Sequence, residues 1–153
     1  MNYRCAPTRH GQMLFDADDA FVGRALEAYG EYSWSEVEVL LQMCSEITRS
    51  LGRKPVVFEA GAHVGTMTLP LARAAARLYA FEPQRCVYKV LQRTIEANPE
   101  LKITARCYAL GSKPGFVKIP HVNLDDTSRR HNAINDHRPQ PGDTRGRAPG
   151  RQG

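Results

Sequence analysis

Residues 56–65 read VVFEAGAHVG: an apolar run, a carboxylate, and two glycines four residues apart, leading into an alanine-rich stretch over 67–76 that is helical in character. Few folds use that order. Val56, Val57 and Phe58 suit a strand covered on both faces, and the glycines suit a sharp turn into a helix. The pattern then repeats its element types. Residues 77–81 (RLYAF) read as a second strand. Residues 86–98 form a second helix with Val87, Leu91, Ile95 and Asn98 on one face, and Asn98-Pro99 stops it because the residue before proline avoids the helical region. Residues 103–109 make a third strand. The order strand, helix, strand, helix, strand predicts parallel strands joined by right-handed crossovers, hence an open α/β sheet with helices on both faces. Beyond it, Gly111-Ser112-Lys113-Pro114-Gly115 is turn chemistry, and residues 116–119 can fold back as an antiparallel edge strand.

The flanks differ in character. Residues 1–54 read as a helical lead-in after a polar start. Ser33-Trp34-Ser35-Glu36 has the form of a capping box, and Val37, Leu40, Leu41, Cys44, Ile47, Thr48 and Leu51 recur at helical spacing up to Gly52 and are expected to define one buried face. Residues 55–123 hold the α/β unit. Residues 124–153 are rich in Arg, Asp, Pro and Gly with few apolar side chains, the composition of a disordered tail. The 153-residue chain carries a formal charge of +5, modest and spread along its length, which gives little reason to expect a nucleic-acid partner. No stretch approaches the roughly 18 to 20 apolar residues of a membrane span, and the N-terminus has no apolar leader core, so the expected location is the cytoplasm. Cys5, Cys44, Cys86 and Cys107 form no C-x-x-C pair and read as buried free thiols rather than a metal site.

In an open α/β sheet, ligands bind beyond the C-terminal ends of the strands, where residues 59–65 lie. Gly61 lets the backbone turn and lets a ligand approach it; Gly65 is expected to let the following helix pack against the strand. Glu82 ends the second strand, 21 residues after Gly61, where a carboxylate can accept from both hydroxyls of a ribose. Together these pieces describe a nucleoside pocket. Dinucleotide sites carry G-x-G-x-x-G so that a pyrophosphate can sit on the helix N-terminus. The G-x-x-x-G spacing here disfavours an NAD module.

The spacing, with Glu59 two residues ahead of Gly61, resembles the first motif of S-adenosylmethionine-dependent methyltransferases of the Rossmann-like class. The runs Val57-Phe58-Glu59-Ala60-Gly61-Ala62-His63-Val64-Gly65, Thr68-Leu69-Pro70-Leu71-Ala72 and Tyr79-Ala80-Phe81-Glu82-Pro83-Gln84 are similar to those of the FkbM-type enzymes, and Tyr29-Gly30-Glu31-Tyr32 with Glu36 resembles that family's lead-in. The resemblance covers about residues 20–120. It implies the cofactor S-adenosylmethionine, with Gly61, Ala62 and His63 lining its methionine part and Gly65 completing the loop. It further implies that Glu59 orients the loop or meets the amino group, that Glu82 and the adjoining Pro83 lie at the ribose, and that Ala109 and Leu110 approach the adenine. Glu59 stands where the family usually has aspartate, and His63 where it usually has asparagine. Tyr29 and Tyr32 either cover the cofactor or pack under the long helix. His63 as a base lacks an identified partner, so no catalytic residue is assigned; no metal is expected. His131 and His137 in the tail read as solvated.

The implied reaction is in-line methyl transfer, in this family commonly to a hydroxyl oxygen, here of a small-molecule or saccharide acceptor. The resembled sheet usually has seven strands, and this chain supplies three before its composition changes. It therefore reads as the N-terminal half of such a sheet, truncated after the third strand, with activity in doubt and an open edge through which it would form oligomers or aggregates. The alternative is a non-catalytic nucleoside-binding or interaction fragment with the same half-fold.

Overall fold

The computed structural model describes residues 2–116 and Lys118. Of the expected edge strand over 116–119, residues 117 and 119 fall outside the described residues, and the tail over 124–153 lies wholly outside them.

The polar start is not bare lead-in: it opens with a β-hairpin, β1 (Tyr3–Pro7) and β2 (Gln12–Asp16), paired antiparallel with Cys5 opposite Leu14. Its turn is closed by Thr8, whose N–H donates to the Gly11 carbonyl while Gly11 N–H returns a bond to the Thr8 carbonyl. Met13 and Phe15, two apart on β2, point inward and are 0% and 1% exposed. That period of two is masked in the sequence by Leu14 between them. Helix α1 (Val22–Tyr29) follows, ends at left-handed Gly30, and buries Val22 and Leu26 against the same cluster.

Helix α2 (Trp34–Leu51) starts and stops where its periodicity places it, but not by a capping box, and its expected buried face holds only in part: Val37 and Cys44 are buried, whereas Ile47 and Leu51 are exposed. Ser33 is left-handed (φ 51°) and makes no side-chain cap bond, and the Glu36 carboxylate accepts from the Ser35 hydroxyl instead. A capping serine needs an extended backbone to aim its oxygen at the first-turn N–H groups. The tight link from Gly30 to Ser33 takes that geometry away.

The sheet consists of β3 (Val56–Ala60), β4 (Arg77–Phe81) and β5 (Ile103–Arg106), all parallel and in the order β3-β4-β5. Helices α3 (Thr68–Ala74) and α4 (Arg85–Glu96) are the crossovers. The expectation of helices on both faces is corrected: Leu78 and Ala80 of β4 are fully buried beneath the helices, whereas Val56 and Phe58 of β3, on the opposite face, are 50% and 66% exposed. Two right-handed crossovers stepping in the same direction put both helices on one side. Phe58 there stacks on Tyr79, its register partner in β4, with ring centroids 5.0 Å apart.

The hairpin and the α/β unit share one core. Met13, Phe15, Val22 and Leu26 cluster with Val64, Leu69 and Val90. The outer edge of β2 is covered by α4, whose Thr94 hydroxyl both accepts from Leu14 N–H and donates to the Leu14 carbonyl. Asn98 does the same for Gln12, its Oδ1 accepting at 3.2 Å and its Nδ2 donating at 2.6 Å. Side chains thus satisfy an edge that would otherwise be open. Among the described residues no helix is long and apolar enough to cross a membrane.

Candidate functional site

At the C-terminal end of β3 the chain turns across the end of β4. The N–H groups of Gly61 and Ala62 both donate to the Phe81 carbonyl, at 2.8 and 3.1 Å. Gly61 takes φ 80°, is exposed, and has nothing within 4 Å of where a side chain would begin. It is a bare backbone platform facing open space. His63 follows in the left-handed region, φ 50°. Asparagine and histidine are among the few side chains enriched there, which gives a backbone reason for either residue at this position.

Gly65 (φ 104°) closes the loop, its N–H donating to the Ala62 carbonyl. The packing reason expected for it is corrected. A side chain at Gly65 would meet Leu91 at 3.2 Å and Thr94 at 3.3 Å, so the glycine serves the contact between the loop and α4, not between α3 and the strand.

Two carboxylates flank the loop. Glu82, one residue past β4, is 1% exposed, and both of its oxygens accept backbone N–H groups: Oε2 from His63 at 3.0 Å and Oε1 from Gln84 at 2.8 Å. Burial pushes its carboxyl up, opposed by those two bonds. The half-buried Glu59 accepts from the Thr68 hydroxyl at 2.7 Å. Burial pushes it up to about 7, with the Thr68 bond working the other way. A carboxyl in that range holds a proton part of the time at neutral pH.

The structure therefore ties His63 to Glu82 and Gly65 to Ala62, and seats Gly61 and Ala62 on the Phe81 carbonyl, while Glu59 at the end of β3 is bonded to Thr68; half-buried Pro83 follows Glu82, its carbonyl 3.8 Å from the Cys107 sulfur. Ala109 and Leu110 stand apart: β5 ends at Arg106 rather than at residue 109, and both are exposed beyond it. Tyr29 is 81% exposed, while Tyr32 packs on the hairpin cluster. Of the cysteines, Cys44 is buried and Cys86 and Cys107 half-buried, but Cys5 is exposed, because it lies on the outer face of β1. Sequence reasoning gave no role to Thr68, although its place in the first turn after the loop is a usable signal.

His63 and Val64 also wall a cavity of about 60 Å³, closed by Phe15, Val22, Cys86 and Val90. Small-molecule pockets run to roughly 300–1,000 Å³, so a nucleoside does not fit there. The open side of Gly61 does offer room, and its missing Cβ is the cradle such a ligand would use. Each oxygen of Glu82 keeps a further acceptor position beyond its backbone bond.

No family model matches the chain, and no curated protein matches it. Solved structures do. Monomeric WbdD matches at 20% identity over 56% of this chain and 21% of its own, with a TM-score of 0.51. A second structure, of the bifunctional kinase-methyltransferase WbdD, matches at 20% identity over 56% and 19%, with a TM-score of 0.50. An S-adenosylmethionine-dependent methyltransferase from Agrobacterium tumefaciens matches at 14% identity over 70% and 32%, with a TM-score of 0.46. The chain spans about a fifth of the length of the WbdD chains. The likeness is one of fold: over the matched stretch, three parallel strands with α3 and α4 as crossovers make a Rossmann-like α/β arrangement.

Proposed function

We propose that this chain is the cofactor-binding half of an S-adenosylmethionine-dependent methyltransferase, of the FkbM type, whose whole form transfers a methyl group to a hydroxyl of a small molecule or saccharide in the cytoplasm. The observation that carries the reading is the platform at Gly61, open above and flanked at the ends of two parallel strands by Glu59 and Glu82. When bound, the cofactor supplies a sulfonium-activated methyl group. The chain's own residues bind and orient. Gly61, Ala62 and His63 present backbone to the methionine part, Glu59 holds a carboxyl for its amino group, and Glu82 offers its remaining lone pairs to the ribose. No side chain in the described residues is assigned as a base in this reading; the proton that the acceptor hydroxyl sheds on methylation passes to solvent, and the chain's part is to align donor and acceptor.

Calorimetric titration with S-adenosylmethionine, S-adenosylhomocysteine and NAD tests it. Binding of the first two without NAD is expected, and preference for NAD would overturn the reading. A second reading is favoured by the exposed Val56 and Phe58: a non-catalytic nucleoside-binding or interaction fragment. Both readings expect cofactor binding without turnover from this chain alone, so radiolabelled methyl transfer to a mixed acceptor extract is measured on the whole form: turnover there supports the first reading, and its absence the second.

A further inference from the structure

His10 lies at the tip of the hairpin turn and is completely buried. Three other parts of the molecule converge on it. The link between α1 and α2 brings Tyr32, whose N–H donates to His10 Nε2 at 2.9 Å, and the start of α2 brings Trp34, whose ring centroid is 5.3 Å away. Helix α3 brings Arg73, whose guanidinium donates to the His10 carbonyl. The segment after the glycine loop brings the Thr66 backbone beside the ring, while Nδ1 makes no hydrogen bond of normal geometry. The turn is tied to the link a second time by the Arg9 N–H, which donates to the Gly30 carbonyl at 2.8 Å.

An imidazole nitrogen that accepts a bond carries no proton, so this ring is neutral with its proton on Nδ1. A proton added to Nε2 would face the Tyr32 N–H donor to donor. The bond is lost and two buried donors oppose each other. The charged groups facing the ring are Arg9 on its own turn, Arg73 from α3 and Glu31 from the link; Arg9 is itself paired with Glu31 at 2.7 Å and with Glu38 of α2 at 3.3 Å, and lies over the Trp34 ring. Two cations and one already paired anion give an imidazolium no net welcome. In keeping with this, burial lowers the pKa of His10 from its ordinary 6.5, with Arg9 and Arg73 acting in the same direction and the Thr66 backbone and Glu31 opposing.

We propose that His10 is a proton-operated clasp: neutral, it holds the link of residues 30–34 and the hairpin turn together against the segment that follows the glycine loop, and protonated, it releases that link. The neutral ring is the folded form, so the clasp is closed above pH 6.5 and opens as pH falls through the lower value of the folded protein.

Trp34 is the only tryptophan, so its emission reports on the clasp directly. Wild-type protein is titrated from pH 8 to 4.5, following Trp34 emission together with far-UV circular dichroism and the His10 ring resonance by NMR. The expected result is an emission change with a midpoint below 6.5 that coincides with the His10 titration and precedes loss of helix signal. His10→Gln, which keeps an acceptor but does not titrate, is expected to abolish it, while His63→Asn leaves it in place. An emission midpoint that differs from the His10 midpoint, or that coincides with global unfolding, overturns the proposal. So does its survival unchanged in His10→Gln. If that variant does not fold, the comparison of the two wild-type midpoints decides alone.

Discussion

The backbone N–H of His63 donates to Oε2 of Glu82 at 3.0 Å, joining two positions 19 residues apart in sequence and holding a non-glycine residue in the left-handed region. The carboxylate that ends the second strand is therefore part of the glycine loop's own structure, whatever else it contacts.

Glu82→Ala is expected to act on the fold as well as on binding. It strands the N–H groups of His63 and Gln84 in a buried site, at a cost of about 1–3 kcal/mol each where water cannot reach them. Glu82→Gln keeps acceptor capacity and should cost less. Thermal unfolding measures the first effect, and calorimetry with S-adenosylhomocysteine the second. Wild-type stability in Glu82→Ala would show that the two bonds do not hold the loop.

The two loop glycines should fail differently. Gly61→Val places a branched side chain at φ 80° in the open space above the platform, with strain of about 1–2 kcal/mol and loss of ligand binding. Gly65→Ala adds steric conflict with Leu91 and Thr94 to similar strain and should lower the melting temperature more than Gly61→Ala does. Lys113→Ala, in the exposed turn, is the control and should change neither. Comparable melting temperatures for the two alanine variants would contradict the packing assigned to Gly65.

Glu59 predicts a pH dependence of defined sign. Its carboxyl is raised from 4.5 to about 7 in the folded chain, so between those values the folded state binds more proton than the unfolded state. Its contribution is complete below pH 4.5 and is lost as pH rises through about 7. Glu59→Gln removes that loss. Urea denaturation should therefore find the variant gaining on wild type from pH 5 to pH 8, and a constant difference would refute the raised value. Taking the difference cancels the contribution of His10, which runs the other way.

The uncovered sheet face should govern solution behaviour. Phe58 is 66% exposed on that face, where it stacks on Tyr79 of β4, and among the described residues β3 is an edge strand, an open template for another strand. We expect wild-type chain to self-associate with concentration in light scattering. Phe58→Lys should reduce this with little loss of stability, since the ring is largely in water already. Unchanged association in that variant would place the sticky surface elsewhere, for example along the exposed Val39, Met43, Ile47 and Leu51 of α2.

The sequence by itself determined the order of elements from α2 to β5, their parallel sense, and the place of the glycine loop at the strand ends. Each rests on local signals: a helical period ending at Gly52, short apolar runs, and glycines where the backbone must take positive φ. Tertiary structure decided the rest. The hairpin was illegible because Met13, Leu14 and Phe15 form a continuous apolar run, and only docking on Thr94 and Asn98 shows which two face inward. The capping box failed because a link of a few residues set the backbone of Ser33 against its side chain's local preference. Val56 and Phe58 read as doubly covered, but coverage depends on how many strands and helices lie alongside, which a strand's own residues cannot specify. Glu82 looked like a ligand group from its position, yet its bonds to His63 and Gln84 arise only when the loop folds over the end of β4. Hydrogen bonds between groups far apart in sequence, and burial on a particular face, are properties of the assembled molecule, and they decided how this site is held.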